Sequence, residues 1–254
     1  MGRVPIKSKR EIELMRESCR IVAEVLALVG ARIAPGVHTR ELDELAEGYI
    51  RSKGAVPAFK GYGHDRNNLF PGTLCVSVDD EVVHGIPNGR VLEEGQVVSV
   101  DVGVKKNGYF GDGARTFAVG IASAEKKRLM QVTEESLYKG IAMVREGNHL
   151  HDVSHAVQEY VESKGYSVVR DLVGHGIGKS LHEEPAVPNF GTAGTGIILK
   201  EGMALAIEPM VNAGSHKVHV DADGWTVRTA DGKPSAHFEH TVVVTQGEAE
   251  ILTR

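Results

Sequence analysis

Five side chains that could share a multivalent cation are scattered along the chain: Asp101, Asp112, His175, Glu208 and Glu239. The first two stand in Val97-Val-Ser-Val-Asp101-Val-Gly-Val-Lys-Lys-Asn-Gly-Tyr-Phe-Gly-Asp112-Gly-Ala-Arg-Thr-Phe-Ala-Val119, two β-branched runs joined at Lys105-Lys-Asn-Gly108. That pattern is a hairpin signal. With those four residues as the loop, Val104 pairs with Tyr109 and Asp101 falls opposite Asp112. Their Cβ atoms would then be about 4.5–5.5 Å apart on one face. Facing carboxylates repel, so either one takes up a proton or a cation sits between them.

Glu208 closes Ala204-Leu-Ala-Ile-Glu-Pro209, an apolar run in which an unpaired charge is costly. Glu239 stands in Phe238-Glu-His-Thr241, and His175 is flanked by Gly174 and Gly176. Taken singly, a strand Asp is more often solvated, and a lone His more often a satisfied polar group. Together, on apolar strands, the five point to metal. Mixed oxygen and imidazole ligation suits Mn, Fe, Co or Zn better than Mg or Ca, and the lack of thiolate argues against a structural zinc. Several carboxylates able to bridge suggest two metals, about 3.5–4 Å apart, clamping an activated water. Other chemistries fail on single residues. Val173 stands where a phosphate loop ending in Gly178-Lys-Ser180 needs Gly, and Ala186 stands where the helical zinc-protease motif needs a second His. No Gly-x-Ser-x-Gly elbow is present, so the nucleophile is water rather than a side chain.

The elements that must position these residues come in two similar sets. Ser8-Lys-Arg-Glu11 is a capping box opening a helix with the apolar stripe Ile12, Met15, Cys19, Val22, Leu26 and Val29, broken at Pro35-Gly36. A second helix follows Thr39 and ends at Gly54, and strands are expected at Leu74–Val78, Val82–Val83 and Gln96–Val104. Phe59–Gly72 reads as an irregular loop. Further on, a helix from about Ala124 to Val144 and another from about Asp152 repeat the pattern. Gly36 recurs as Gly147 and Gly54 as Gly165, at the same offset. His84-Gly-Ile86 recurs as His175-Gly-Ile177, and Glu94-Gly up to Asp101 as Glu201-Gly up to Glu208. Tyr109-Phe-Gly-Asp112 is echoed by His237-Phe-Glu239. Five matches in one order mark an internal repeat. The expectation is one α+β domain over residues 1–254, in halves of about 1–120 and 121–254, with antiparallel sheet covered by helices on one face.

The 254 residues are 41% hydrophobic and 25% charged with a net charge of -5, an ordinary globular composition that argues against nucleic acid as the main partner. Cys19 and Cys75 are the only cysteines and neither is placed for a bridge, which fits a reducing, cytoplasmic setting. Met1-Gly-Arg-Val-Pro-Ile6 carries no apolar signal region, and Ile6 breaks the myristoylation pattern that Gly2 raises. No run is long enough to span a membrane.

The motifs Val83-His-Gly-Ile-Pro87, Ser99-Val-Asp-Val-Gly103, Gly111-Asp112, Gly174-His-Gly-Ile-Gly178, Leu181-His-Glu-Glu-Pro185, Ile207-Glu-Pro209 and Phe238-Glu-His-Thr241, in this order, resemble the type I methionine aminopeptidases over essentially the whole chain. The resemblance implies a pita-bread fold with a pseudo-two-fold axis. It implies a metal-dependent enzyme, carrying two divalent ions per chain, that removes the initiator methionine from nascent polypeptides, with transient ribosome association. By motif, Asp112 and Glu239 would bridge both metals, Asp101 would chelate one, and His175 and Glu208 would complete the other. His182 would bond the scissile carbonyl and His84 the amide nitrogen, with Glu208 moving the proton. Phe59, Tyr62, Cys75 and Trp225, with Phe70 a looser candidate, would surround the Met side chain. Leu181, where relatives often carry Phe, and an extra loop at His64–Asn68 depart from the pattern beside that pocket. The short stretch between Glu208 and Glu239 leaves no room for the helical insertion of type II relatives. Two rivals remain in view: a pita-bread peptidase cutting before Pro, and a non-enzymatic binding module on the same fold.

Overall fold

The computed structural model describes residues 4–63 and 65–254. The reading of Gly2, and His64 within the expected extra loop, lie outside the described residues. Among the described residues four helices pack in pairs: α1 (Lys9–Arg32) with α2 (Thr39–Ser52), and α3 (Ala124–Ala142) with α4 (Leu150–Ser163). α1 opens as its sequence predicts, with Ser8 Oγ accepting from the Glu11 N–H and the Glu11 carboxylate accepting from the Ser8 N–H. α2 and α4 start slightly earlier than expected. His38 and His149 take the N-cap positions, and Glu41 and Asp152 three residues on accept from their backbone N–H groups.

The repeat survives in the backbone. Gly36 and Gly147 both have φ of +90°, a left-handed conformation that favours glycine. His38 bridges Val91 just as His149 bridges Ile198. Each half also builds its own core. Val22, Val25, Leu42, Ile50 and the inward valines of Val97–Lys106 form one, and Leu129, Val153, Val157, Leu205 and Val242 belong to the other.

Both helix pairs lie against one face of a nine-stranded antiparallel sheet, α1 meeting it at Gly111 and Gly113 and α3 at Ile207. The sheet's central order is Val97–Lys106, Tyr109–Ala118, Glu239–Val243, Ala204–Ile207 and Gly174–Gly176. Leu74–Val78 pairs with the outer side of Val97–Lys106. The expected hairpin is present, but its register differs. Lys106 pairs with Tyr109, so the loop is only Asn107-Gly108, and Asp101 faces Ala114 while Asp112 faces Gly103. Both loop residues have positive φ (50° and 83°), the two-residue turn whose twist matches the flanking strands, and this chemistry overrides the longer loop. The slip is an even number of positions, so both Asp side chains keep the same face. They sit diagonally rather than directly opposed.

That hairpin is squeezed from both sides. On the helix face a Cβ at Gly111 would lie 2.7 Å from the Cys19 backbone nitrogen, so glycine lets α1 lie flat on the strand. On the other face a Cβ at Gly103 would lie 2.6 Å from the Phe59 ring. Small residues thus set how closely the helix below and the pocket wall above approach the strands that carry Asp101 and Asp112.

Candidate metal centre

The register places the five candidate ligands on neighbouring strands. Asp101 and Glu239 are both paired with Ala114, one from either side, so these three residues form one row across three strands. Asp112, two residues from Ala114, points to the same face. His175 pairs with Ala206, and Ala206 pairs in turn with Thr241. Thr241 Oγ1 accepts from the Asp112 N–H at 3.1 Å and donates to the Asp112 carbonyl at 2.8 Å. Alanine, glycine and threonine fill the positions between the ligands. Their short side chains leave the space above the sheet open.

Into that space opens a cavity of about 120 Å³ lined by all five candidates, by His84 and His182, and by Phe59, Tyr62, Phe70, Cys75, Leu181 and Trp225. Every residue singled out in the sequence for ligation, catalysis or side-chain binding is therefore brought to one place. Phe70 and the divergent Leu181 belong there too. Among the described residues no Lys or Arg lines the cavity.

His175 is held by the glycines around it. A Cβ at Gly174 would lie 2.4 Å from the Ala206 carbonyl oxygen, and one at Gly176 would lie 2.2 Å from that of Glu184. The ring's Nδ1 lies 2.9 Å from the Gly176 carbonyl; an N–H donated there leaves Nε2 as a lone pair. That Nε2 lies 3.6 Å from Glu208 Oε1 and 3.9 Å from Asp112 Oδ2. Atoms each about 2.0–2.2 Å from one ion fall at about this spacing. Ligand atoms of Asp112, His175 and Glu239 all lie within 4.8 Å of one another.

Two further observations fit a cation. Asp101 Oδ1 and Glu239 Oε1 are buried oxygens with no hydrogen-bond partner. Orphaned carboxylate oxygens are costly unless an ion takes their lone pairs. Burial also raises the pKa of all four carboxyl groups, and the charge of Asp112 pushes Asp101, Glu208 and Glu239 higher still. Without positive charge at the centre the four cannot all ionise.

The same burial acts in reverse on the imidazoles. It lowers His84 to about 4 and His175 to about 3, each helped by His182, so both rings are neutral at neutral pH. His182 packs edge-on against His175 with ring centroids 4.3 Å apart, and its Nδ1 lies 2.6 Å from the Tyr62 hydroxyl. His84 occupies a left-handed conformation at φ 60°, rare for a residue with a side chain, and sits edge-on to Trp225 at 6.5 Å. Trp225 also packs on Phe70 at 5.3 Å. The Cys75 thiol is pushed well up by burial and then by Asp101 and Asp112, so it stays protonated and apolar. It serves as wall, not nucleophile.

The wall is assembled from distant segments. Phe59, Phe70, Cys75 and Leu181 join Met15 and Ile177 in a third apolar cluster that bridges the two halves. Asn68 Nδ2–H donates to the Asp223 carbonyl, joining the loop before Phe70 to the turn that carries Trp225. Lys7 forms a buried ion pair with Glu183, and Glu183 Oε1 accepts from the Lys179 and Ser180 N–H groups, which fixes the loop leading to His182.

One residue escaped the sequence reading. His237 is buried with Nε2 lacking a hydrogen-bond partner, 3.8 Å from Glu208 Oε2. Its spacing of two from Glu239 was the available signal, since residues two apart on a strand share a face.

A family model described as metallopeptidase family M24 matches residues 13–246. The chain is 52% identical to methionine aminopeptidase 1 of Bacillus subtilis over 248 residues, covering 98% of each protein. Its fold matches the crystal structure of methionine aminopeptidase from Thermotoga maritima with a TM-score of 0.96 and 47% identity, over 99% of this chain and 100% of that one. Prolidase from Pyrococcus furiosus shares the fold with a TM-score of 0.78 and 23% identity, over 98% of this chain but 65% of that one.

Proposed function

We propose that this chain, which belongs to metallopeptidase family M24, works through the cavity above its central sheet as a methionyl aminopeptidase. It hydrolyses the first peptide bond of polypeptides that begin with methionine. The observation that carries this reading is the convergence of four carboxylates and His175 on one cavity, with Asp101 Oδ1 and Glu239 Oε1 left without partners, beside an apolar wall. We read residues 1–254 as a single catalytic domain of two similar halves.

The family uses divalent metal. In our assignment two divalent ions, of Co, Mn, Fe or Zn, would be held here, Asp112 and Glu239 being shared by both, Asp101 serving one, and His175 and Glu208 the other. Bound there, divalent metal supplies a Lewis acid and lowers the pKa of a water. The remaining work falls to side chains. Glu208 takes a proton from the attacking water and passes it toward the departing amine. The water oxygen bonds the carbonyl carbon, the carbon–nitrogen bond breaks, and the nitrogen leaves as a neutral amine. The Tyr62 hydroxyl lies 2.6 Å from His182 Nδ1; with that hydroxyl as donor, His182 carries its proton on Nε2 and gives that N–H to the carbonyl oxygen as negative charge grows. His84, a neutral imidazole, accepts from the N–H of the scissile amide.

Phe59, Tyr62, Phe70, Cys75, Leu181 and Trp225 enclose the methionine side chain, whose flexible, polarisable thioether suits an aromatic and thiol wall. In the cell the substrates on this reading are nascent polypeptide N-termini, met in the cytoplasm in transient association with the ribosome. Among the described residues no helix is long and apolar enough to cross a membrane. The deciding experiment compares release of the first residue from Met-Ala-Ser and Ala-Pro peptides by metal-loaded protein. Preference for the Pro substrate would reject the assignment, and no release from any peptide would favour a binding module.

A further inference from the structure

Glu208 divides its two carboxylate oxygens between two imidazoles. Oε1 faces His175 Nε2 at 3.6 Å, and Oε2 faces His237 Nε2 at 3.8 Å. The two sides differ in chemistry. With the His175 Nδ1–H given to the Gly176 carbonyl, His175 Nε2 and Glu208 Oε1 both present lone pairs to the same space, an arrangement that suits a cation. On the other side no ion is implied. There a side chain only 2% exposed holds a nitrogen that has no hydrogen-bond partner. A buried polar atom of this kind needs an explanation.

The surroundings restrict how the gap can close. The His237 backbone is clamped on both sides, its N–H donating to Thr116 Oγ1 at 2.9 Å and its carbonyl accepting from that hydroxyl at 2.8 Å. The Glu208 carbonyl accepts from Asn189 Nδ2–H at 2.9 Å. The terminal carboxylate torsion of Glu208 is the soft coordinate that remains, because such torsions have broad minima. A water bonded to both atoms at about 2.7–3.0 Å would subtend an angle of only about 80–90° at its oxygen, well below tetrahedral, so a direct bond after a small torsion is the better-formed contact. We infer that His237 is a positioning residue for Glu208, its Nε2–H donating to Oε2 when metal is bound so that Oε1 stays turned toward the cation. This rests on the reading of Glu208 as metal ligand and proton carrier. Outer hydrogen bonds of this type orient a ligand and tune its basicity.

The test measures Mn²⁺ affinity by calorimetry, the absorption spectrum of the Co²⁺-loaded protein, and kcat and KM on Met-Ala-Ser. His237→Leu, which keeps the bulk but not the donor, should bind metal about 10- to 100-fold more weakly. It should also shift the cobalt spectrum and lose kcat while KM holds. His237→Gln, which offers an N–H at similar reach, should recover most of the affinity and the wild-type spectrum. Wild-type affinity and spectrum in His237→Leu would overturn the inference, as would equal loss in the Leu and Gln variants. Should His237→Leu fail to fold, His237→Asn takes its place. Its amide falls short of Glu208, so loss of affinity is expected and full affinity would overturn the inference. Asp112→Asn measured in parallel separates the two readings, since metal retention there would sink the metal centre itself and this inference with it.

Discussion

Stripping the metal should make stability depend steeply on pH, and Asp112→Asn should remove much of that dependence. Ligand atoms of Asp112 and Glu239 lie within 4.8 Å of each other. Two unit charges at that distance repel by about 3.5 kcal/mol at an effective dielectric of about 20. Protonating an ordinary Asp at pH 7 costs about 4 kcal/mol, because its pKa is about 3.9 and each pH unit is worth about 1.4 kcal/mol. One charged neighbour nearly offsets this. Burial and the other two carboxylates carry it further, so the metal-free centre holds at least one extra proton near neutrality. The sign follows from linkage. Folded-state pKa values above the unfolded ones mean that the native carboxyl cluster binds more protons, so its contribution to stability is greatest in acid. It falls as pH rises from the unfolded carboxylate range toward the raised folded values. Each extra proton contributes a slope of about 1.4 kcal/mol per pH unit.

The assay is urea unfolding followed by circular dichroism in EDTA, from about pH 7 to about pH 9, above the range in which unfolding lets the buried imidazoles of His84, His175 and His237 take up protons and oppose the carboxyl trend. Over that range wild-type protein should lose stability by about 1.4 kcal/mol per pH unit for each extra proton the folded centre holds, and Asp112→Asn should flatten the slope by about one proton. With metal present the trend should reverse, because binding displaces protons and strengthens with pH. Metal-free stability that rises with pH, or an equal slope in the Asn variant, would refute the reasoning. So would metal binding near neutrality without proton release, measured in buffers of different ionisation enthalpy.

Three further outcomes are expected. His182→Ala should lower kcat by about 10²- to 10³-fold, the usual effect of losing one donor to a developing oxyanion, while metal content by elemental analysis stays at the wild-type level. Gly111→Ala should destabilise the protein by about 1–3 kcal/mol, because overpacking forces α1 off the hairpin; the added Cβ would meet Cys19 backbone at 2.7 Å, and an unchanged midpoint in denaturant would contradict that. Lys7→Met removes one partner of a buried pair whose side chains are 5% and 11% exposed. It should cost about 3–5 kcal/mol, read from thermal unfolding, with Lys7→Arg retaining more of the stability.

Much of this protein is written in local patterns. Ser8 and Glu11 predict the start of α1, because a cap depends only on residues within one turn. The hairpin is legible from Asn107-Gly108 between β-branched runs, and the ligand types are legible from carboxylates embedded in apolar strands. The repeat is visible because equivalent backbone turns need glycine at equivalent places, Gly36 and Gly147 among them. Tertiary structure decided how those parts meet. The two-residue turn moved Asp101 from opposite Asp112 to opposite Ala114, a choice made by strand twist rather than by hydrophobic pattern. Ala114 joins Asp101 to Glu239 only once three strands from both halves are in register, and no local pattern encodes that alignment. The side-chain pocket likewise needs Phe59, Leu181 and Trp225 brought from remote loops. His237 shows the boundary most plainly. As a residue type it could be anything from a surface base to a core polar group, and only burial beside Glu208 makes its nitrogen meaningful. Backbone periodicity and capping act over a few residues and can be read along the chain, whereas register, burial and convergence are set by packing between distant segments.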